Sequence, residues 1–186
     1  MVEAPRLETE RLILRGPARE DFAAVAAIWA DEQVTRFVLR APLSGEEAWM
    51  RFLRGIGHWL LCGYGLWYLQ EKSTGTLIGE VGFLDAHRDI LPSLEGTPEV
   101  GWVLARSAWG KGYASEALRS LLSWGDEQLI APRTACMITP DNHASLRVAA
   151  KAGFREGART SHRGTAVLLL YRDRPCRAGA RVKTTP

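Results

Sequence analysis

The sequence predicts one α/β (α+β) domain in which helices pack on a mixed β-sheet. Segments with strand and helix periodicity follow one another in the order β-α-α-β-β-β-α-β-α-β-β. Two kinds of connection occur among them. Hairpin turns join antiparallel strands, whereas a strand-helix-strand unit joins parallel strands through a right-handed crossover. The length of 186 residues is typical of one domain.

The first third of the chain predicts a strand and two helices. Residues 10–15 alternate polar and apolar side chains and stop at a Gly-Pro pair, as a strand does. Residues 17–30 repeat apolar side chains at helical spacing. Ser44, with Glu47 three residues later, forms a capping box, so a second helix is expected to begin there and to end near Gly63. The residues of this helix that are expected to face the core are Trp49, Phe52, Leu53, Ile56 and Leu60.

The rest of the chain predicts six more strands and two more helices. Residues 65–71 and 77–83 flank a Gly-containing loop and predict a hairpin. A strand at 99–104 leads through a glycine-rich turn into a helix at 113–128. The remaining predicted elements are a strand at 133–138, a helix at 144–152 and strands at 154–158 and 166–171.

Composition excludes several classes of protein. The chain is 46% hydrophobic and 24% charged, and it has neither a signal peptide nor an apolar run of membrane-spanning length, so a cytoplasmic location is expected. The net charge of +3 is too small to indicate a nucleic-acid groove. We expect a single domain over residues 1–172. Residues 173–186 are basic and lack apolar periodicity, which favours a flexible tail over a nucleic-acid-binding arm.

The segment WGKGYASEAL, residues 109–118, is typical of an anion site because a glycine-rich turn joins a strand to a helix. Glycine lets backbone N–H groups approach a ligand, and the helix N-terminus carries a partial positive charge. A Walker A loop is excluded because Gly112 follows Lys111, and a dinucleotide fingerprint would need glycine in place of Ser115. Phosphate is the expected ligand class, and a tight turn without a ligand is the alternative.

This turn, the strand before it and residues 142–154 (NHASLRVAAKAGF) together resemble the GNAT family of acyl-CoA N-acyltransferases. The opening LETERLILR, residues 7–15, is similar to the RimJ/RimL-like branch, which includes ribosomal-protein N-terminal acetylases. The resemblance covers nearly all of residues 7–172. It implies the GNAT fold, with a mixed, mostly antiparallel central sheet of about seven strands, helices on both faces and a splay at the acyl-CoA site.

The resemblance also implies that acetyl-CoA is the co-substrate. The backbone of the glycine turn would bind its pyrophosphate, with Lys111 adding charge, although Trp109 stands where the family usually has Arg or Gln. The strand before the turn would pair with the pantetheine arm. The implied cofactor-binding residues are Trp102, Val103, Leu104, Trp109, Gly110, Lys111, Gly112, Tyr113, Ala114, Ser115, Asn142, Ser145 and Lys151.

The implied chemistry is direct attack of an amine on the thioester. It requires a neutral amine, a stabilised oxyanion and a proton for the leaving thiolate. The resemblance favours Glu99 as the base, with a solvated strand-end carboxylate as the alternative; Glu80 and Glu116 are weaker candidates. It matches Ser145 to a serine that donates to the thiolate, with simple cofactor contact or helix capping as the alternative. No metal is expected, because the histidines and cysteines lack ligand spacing.

The resemblance therefore implies an N-acetyltransferase acting on a primary amine, such as a protein or peptide N-terminal amine. A small-molecule amine (a polyamine or an antibiotic) and a non-catalytic acyl-CoA-binding module are the alternatives. The arginines between residues 31 and 63 could favour an acidic peptide, or they could be solvated surface; they are Arg36, Arg40, Arg51 and Arg54. No membrane or nucleic-acid partner is expected, and the chain is expected to be a monomer or a homodimer.

Overall fold

The structure is a computed structural model that describes residues 4–39 and 41–175. Its strands are β1 (Leu7–Glu8), β2 (Leu12–Arg15), β3 (Leu66–Glu71), β4 (Leu77–Leu84), β5 (Glu99–Leu104), β6 (Arg133–Ile138), β7 (Arg155–His162) and β8 (Thr165–Asp173). They form one open sheet in the order β1-β2-β3-β4-β5-β6-β8-β7. β5 and β6 are parallel, and the other neighbours are antiparallel. The predicted mixed, mostly antiparallel sheet is thus confirmed.

The seven predicted strands are all present, and one more precedes them. β1 pairs with β2 through Leu7 opposite Leu14 and Glu8 opposite Ile13. The prediction of seven strands is therefore one short. Two residues are too few to show the period-2 alternation that identifies a strand.

Five α-helices occur in the described part of the chain. They are α1 (Phe22–Trp29), α2 (Glu32–Thr35), α3 (Gly45–Cys62), α4 (Tyr113–Gln128) and α5 (His143–Lys151). The predicted helix at 17–30 consists of a 3-10 turn, Arg19–Asp21, followed by α1. α2 was not predicted; it is a single turn in which the Asp31 side chain accepts from the backbone N–H of Gln33 at 2.9 Å.

The predicted ends of α3 are confirmed. Its predicted core face is right at Trp49 and Phe52, which pack in the core, and wrong at the other three residues. Ser44 and Glu47 form the capping box, and the helix stops at Gly63, which has a φ of 72°. Phe52 is buried, whereas Leu53, Ile56 and Leu60 are 42%, 41% and 63% exposed. The buried side chains Ala48, Phe52 and Trp59 follow a single line, which Gly55 completes at helical spacing. The prediction counted apolar residues around a wider arc than the helix buries.

Helices cover both faces of the sheet, as predicted. Alternate residues of β3 enter different clusters: Trp67 and Leu69 pack in the cluster that contains α4, whereas Tyr68 packs with α1 and α3. Because successive strand residues point to opposite faces, α4 and α1 lie on opposite sides of the sheet. The two faces thus carry separate clusters.

The sheet opens between its two parallel strands. β5 pairs with β4 along all six of its residues. In contrast, β5 and β6 pair at a single position in the described chain, Glu99 opposite Ala135, and separate beyond it. α4 follows β5 and α5 follows β6, so both helices begin beyond the wide end of the opening. The predicted splay is confirmed.

Candidate active site

The glycine turn lies between the end of β5 and the start of α4. Gly110 and Gly112 have φ values of 74° and 82°, a left-handed region that favours glycine. In the described chain, the backbone N–H groups of these two glycines have no hydrogen-bond partner. Gly112 is also the residue before the first turn of α4, where no side chain caps the helix. Unpaired donors at a helix N-terminus are the arrangement that binds anions.

Trp109 and Tyr113 hold the two ends of the turn. The indole N–H of Trp109 donates to the carbonyl of Leu104 at 2.8 Å, although the side chain is 49% exposed. The hydroxyl of buried Tyr113 donates to Glu71 on β3, and this bond raises the pKa of Tyr113. Tyr113 is therefore a structural contact rather than an available acid. Ala114 is half-buried against the same core.

The N-terminal segment braces the turn from outside. Arg11 donates through Nε to Glu116 Oε2 at 2.7 Å and through Nη1 to the Lys111 carbonyl at 2.9 Å. Its guanidinium also lies 4.6 Å from the ring centre of Tyr113. Burial raises the pKa of Glu116, but hydrogen bonds from Thr9 and from Arg11 outweigh it, so the net pKa is lowered. Glu116 is thus an anchored carboxylate, which weakens its candidacy as a base.

A cavity of about 820 Å³ lies beside the turn and along α4. It brings together three of the predicted cofactor residues, Gly112, Ser115 and Lys151. The other basic side chains that line it are Arg11 and Arg119. Sequence reasoning did not single out either arginine as part of the site. Arg119 lies one helical turn after Ser115, and this spacing could have placed it on the same face of α4. Arg11 is remote in sequence, so no local pattern indicated it.

The predicted pantetheine strand faces the opening. Val103 and Leu104 are buried, and Trp102 is half-buried and packs against the main core. Because β6 has separated from β5 at this level, backbone groups on that side of β5 lack a strand partner in the described structure. An amide-rich ligand can pair with such an edge.

α5 presents Asn142 and Ser145 at the other side of the opening. The Asn142 side chain accepts from the backbone N–H of Ser145 at 3.1 Å and so caps the helix. The half-buried Ser145 hydroxyl has no hydrogen-bond partner among the described residues. It is therefore free to donate to a ligand. Lys151 is exposed in the last turn of the same helix.

Glu99 lies at the narrow end of the opening and is only 6% exposed. Arg88 donates to both of its carboxylate oxygens, with the Nη2 bond 2.7 Å long. Nη1 of Arg88 lies 3.5 Å from Nε2 of His162 on β7. Burial, followed by the charges of Arg88 and Arg163, lowers the pKa of His162. Arg88 and Glu99 also line a second cavity, of about 280 Å³, within the loop that follows β4.

Glu80 forms a second buried ion pair on the same face of the sheet. Arg51 of α3 donates to it at 2.8 Å, and the indole N–H of Trp29 donates at 3.4 Å. Glu80 pairs with Val103 and Glu99 pairs with Leu84, so both carboxylates lie on the face covered by α1 and α3. Between them lies Gly101, at which a Cβ would meet only Leu84, at 3.8 Å. The sheet surface between the two carboxylates therefore carries no side chain at Gly101.

The opening separates two kinds of group. Ser145 and the glycine turn belong to the side of α4 and α5, whereas Glu99 and Glu80 lie on the opposite face. A molecule that passes between β5 and β6 would thus meet phosphate-binding groups at one end and carboxylates at the other.

In the described residues, no group of three or more His, Cys, Asp or Glu side chains is arranged to bind a metal. None of the described helices has the length and apolarity needed to span a bilayer.

Comparisons with known proteins agree with this geometry. A solved structure from Bordetella pertussis, assigned to the GNAT acetyltransferase family, is 31% identical; the match covers 91% of this chain and 99% of that one, with a TM-score of 0.81. The uncharacterized N-acetyltransferase p20 of Bacillus licheniformis is 29% identical over 151 residues, which are 81% of this chain and 82% of p20. RimL, a ribosomal L7/L12 alpha-N-protein acetyltransferase solved with coenzyme A, is 17% identical with a TM-score of 0.75 over 91% of this chain and 98% of that one, and so shares the fold.

The family model for the acetyltransferase (GNAT) domain matches residues 11–155, which contain the glycine turn, the opened strand pair and α5. That match spans well over half of the chain. With an opened parallel strand pair and a glycine turn before α4, this chain belongs to the GNAT family of acetyltransferases.

Proposed function

We propose that this protein transfers the acetyl group of acetyl-CoA directly to a primary amine, and that the amine is the N-terminus of a protein or peptide. The observation that carries the proposal is the single pairing of β5 with β6 at Glu99, with unpaired N–H donors of the glycine turn beyond the wide end. An extended thioester fits such an opening because the strand edge, the turn and the carboxylates follow one another along it.

In this proposal the cofactor meets three parts of the chain. The N–H groups of Gly110 and Gly112, with the charge of Lys111, bind the pyrophosphate. The backbone of β5 at Trp102, Val103 and Leu104 pairs with the pantetheine arm, and its N–H groups near Val103 and Leu104 receive the oxyanion. The outer part of the cofactor lies in the cavity of about 820 Å³, near Ser115 and Lys151.

Glu99 is the proposed base and Ser145 the proposed donor to the thiolate. An alkyl ammonium has a pKa near 10 and a carboxylate one near 4, so Glu99 must act through water or within a shielded site. Its burial supports the second condition. The free hydroxyl of Ser145 supports the donor role, because no described residue competes for it. Ser145 lies on the side of α4 and α5 and Glu99 on the opposite face, so the proposal places the thioester between them.

The charges near the sheet face that carries Glu80 and Glu99 support an acceptor with anionic groups beside its amine. Arg51 and Arg88 are paired with Glu80 and Glu99, whereas Arg54 forms no ion pair in the described residues. Burial and the charges of Arg51 and Arg88 lower the pKa of Arg54, so this arginine lies in a positive field. An acidic peptide N-terminus fits Arg54 better than a polyamine does.

A non-catalytic acyl-CoA-binding module is the second candidate. The observation that favours it is the occupation of both Glu99 oxygens by Arg88. In this reading the ion pair stabilises the closed end of the opening and does not take a proton. Such a module would bind acetyl-CoA and release no thiol in the presence of any amine.

The test is a calorimetric titration with acetyl-CoA, followed by a thiol-release assay. Peptides with acidic, neutral and basic residues after a free N-terminus are compared with the same peptides blocked at that amine and with spermidine. The proposal expects micromolar binding and turnover that is highest on the acidic peptide. Binding without turnover on any amine supports the second candidate, and absence of binding removes both.

A further inference from the structure

We propose that Arg11 is a positioning residue for cofactor binding. It orients the Gly112 N–H toward the pyrophosphate and neutralises Glu116 beside that site. This inference rests on the proposed function. Arg11 belongs to the opening motif LETERLILR, and Glu116 lies 105 residues further along the chain.

The first step concerns the peptide between Lys111 and Gly112. Arg11 Nη1 donates to the Lys111 carbonyl at 2.9 Å. A trans peptide is planar, and its C=O and N–H point in opposite directions, so a bond that fixes the carbonyl also fixes the Gly112 N–H. That N–H therefore points away from Arg11 and has no partner among the described residues.

The turn needs such a restraint because glycine adopts many backbone conformations. Two residues of this turn are glycines with positive φ, and a free turn would spend time in conformations that direct its N–H groups elsewhere. Ordering these groups before the ligand arrives removes an entropic cost from binding. Arg11 supplies that order from outside the turn.

The second step concerns how Arg11 is itself held. Glu116 Oε2 accepts from its Nε at 2.7 Å and lies 2.6 Å from Nη2. Glu116 Oε1 accepts from the Arg11 backbone N–H at 2.8 Å and from the Thr9 hydroxyl at 2.6 Å. The guanidinium also lies over the ring of Tyr113. These contacts fix the guanidinium although it is partly exposed.

The third step concerns charge. Glu116 lies in the first turn of α4, and its side chain is only 11% exposed. An unpaired carboxylate at this position would repel a pyrophosphate and cancel the positive end of the helix. Paired with Arg11, it adds no net charge, so Lys111, Arg119 and Lys151 attract the anion against one carboxylate fewer. The other carboxylates of the cavity lining are Glu8, Glu10 and Glu127. Loss of Arg11 would therefore have two effects. It would free the peptide between Lys111 and Gly112, and it would leave the Glu116 carboxylate to repel the pyrophosphate.

The experiment compares the acetyl-CoA affinity of the intact protein with four variants. Arg11→Ala is expected to raise the Kd by roughly tenfold or more, and Arg11→Lys, which keeps the charge but loses the planar fork, by less. Arg11→Ala/Glu116→Gln is expected to bind more tightly than Arg11→Ala, because the repulsive charge is gone. Arg6→Ala is the matched control, since Arg6 pairs with Glu8 on the same segment and lies outside the cavity lining.

Steady-state kinetics distinguishes positioning from simple stabilisation. In Arg11→Ala the KM for acetyl-CoA should rise while kcat on a good amine stays near that of the intact protein. If Arg11→Ala does not fold, Arg11→Lys and the double variant carry the test. Arg11 variants that bind as tightly as the intact protein overturn the inference, and a double variant no better than Arg11→Ala overturns its charge component. Failure of the intact protein to bind acetyl-CoA would instead remove the proposed function.

Discussion

Arg88 donates hydrogen bonds to both carboxylate oxygens of Glu99 at the closed end of the opening between β5 and β6. A base in this position must release or share one of these bonds when it accepts a proton. The ion pair also fixes where the carboxylate points. The same contact is therefore compatible with positioning a base and with stabilising the sheet.

Replacement of Glu99 separates these roles. If Glu99 is the base, Glu99→Gln should lower kcat by roughly a hundredfold or more while acetyl-CoA affinity stays unchanged. Glu95→Gln is the matched control, because Glu95 lines the same loop cavity but lies on an exposed turn. Thiol release measured against amine concentration checks both variants. A Glu99→Gln enzyme with full kcat would mean that water, not this carboxylate, takes the proton.

Substitution of Gly112 should abolish cofactor binding. Gly112→Val adds a side chain at a φ of 82°, beside Arg11 and at the proposed pyrophosphate site. Gly96→Val is the control, because Gly96 has a φ of 70° in a loop remote from the turn. Each change should cost about 1–2 kcal/mol of stability through backbone strain. Calorimetry should show loss of acetyl-CoA binding for Gly112→Val alone; equal binding by both variants would falsify the site assignment.

Removal of the Ser145 hydroxyl tests its proposed donor role. The cap of α5 uses the backbone N–H of Ser145, so Ser145→Ala should leave the helix and the thermal stability unchanged. Loss of donation to the leaving thiolate should lower kcat by roughly tenfold to a hundredfold. Ser123→Ala on α4 is the control, since Ser123 lines the cavity away from the reacting atoms. Unchanged kcat in Ser145→Ala would leave this serine as a cofactor contact at most.

The buried line of α3 can be tested by two adjacent substitutions. Phe52 is 2% exposed and stacks near Trp49 and Tyr68, with ring centres 5.7 and 5.9 Å away. Phe52→Ala should lower the free energy of unfolding by about 3–5 kcal/mol. Leu53→Ala, on the exposed side, should lower it by less than about 1 kcal/mol. Urea denaturation measures both, and similar losses would contradict the assigned helix face.

His162 gives the protein a pH-dependent stability contribution. Its pKa is lowered in the folded state by burial, Arg88 and Arg163, so the unfolded chain binds this proton more tightly. The contribution is complete above the unfolded pKa of about 6.5 and is lost as pH falls through the lowered folded value. The free energy of unfolding should therefore decrease on acidification, and His162→Gln should reduce this slope. Urea melts at several pH values check it, with exposed His143→Gln as control.

Local patterns predicted most of the fold. Strand alternation, the Ser44 capping box and turn glycines depend on neighbours within a few residues, and the structure agrees at each of them. β1 was not predicted because two residues are too few to show the alternation of a strand. The face of α3 was misjudged because an apolar helix surface does not say which of its sides meets the sheet.

The candidate site was predictable only where it follows a local motif. The glycine turn and the start of α5 are continuous in sequence, so their residues were identified together. The pairs Arg11–Glu116, Arg51–Glu80 and Arg88–Glu99 join different elements, and no periodicity marks either partner. Their formation depends on strand register, which is a property of the assembled sheet.

Because β5 and β6 pair at a single position, the sheet consists of two groups of hydrogen-bonded strands. Strands β1–β5 form one hydrogen-bonded unit and β6–β8 another, joined by one backbone pairing and by the core cluster that residues of both units share. A ligand that fills the gap would act as a missing strand between these two units. Amide hydrogen exchange in β6 and β8 would then slow on binding, so that the substrate itself contributes to the cooperativity of the fold.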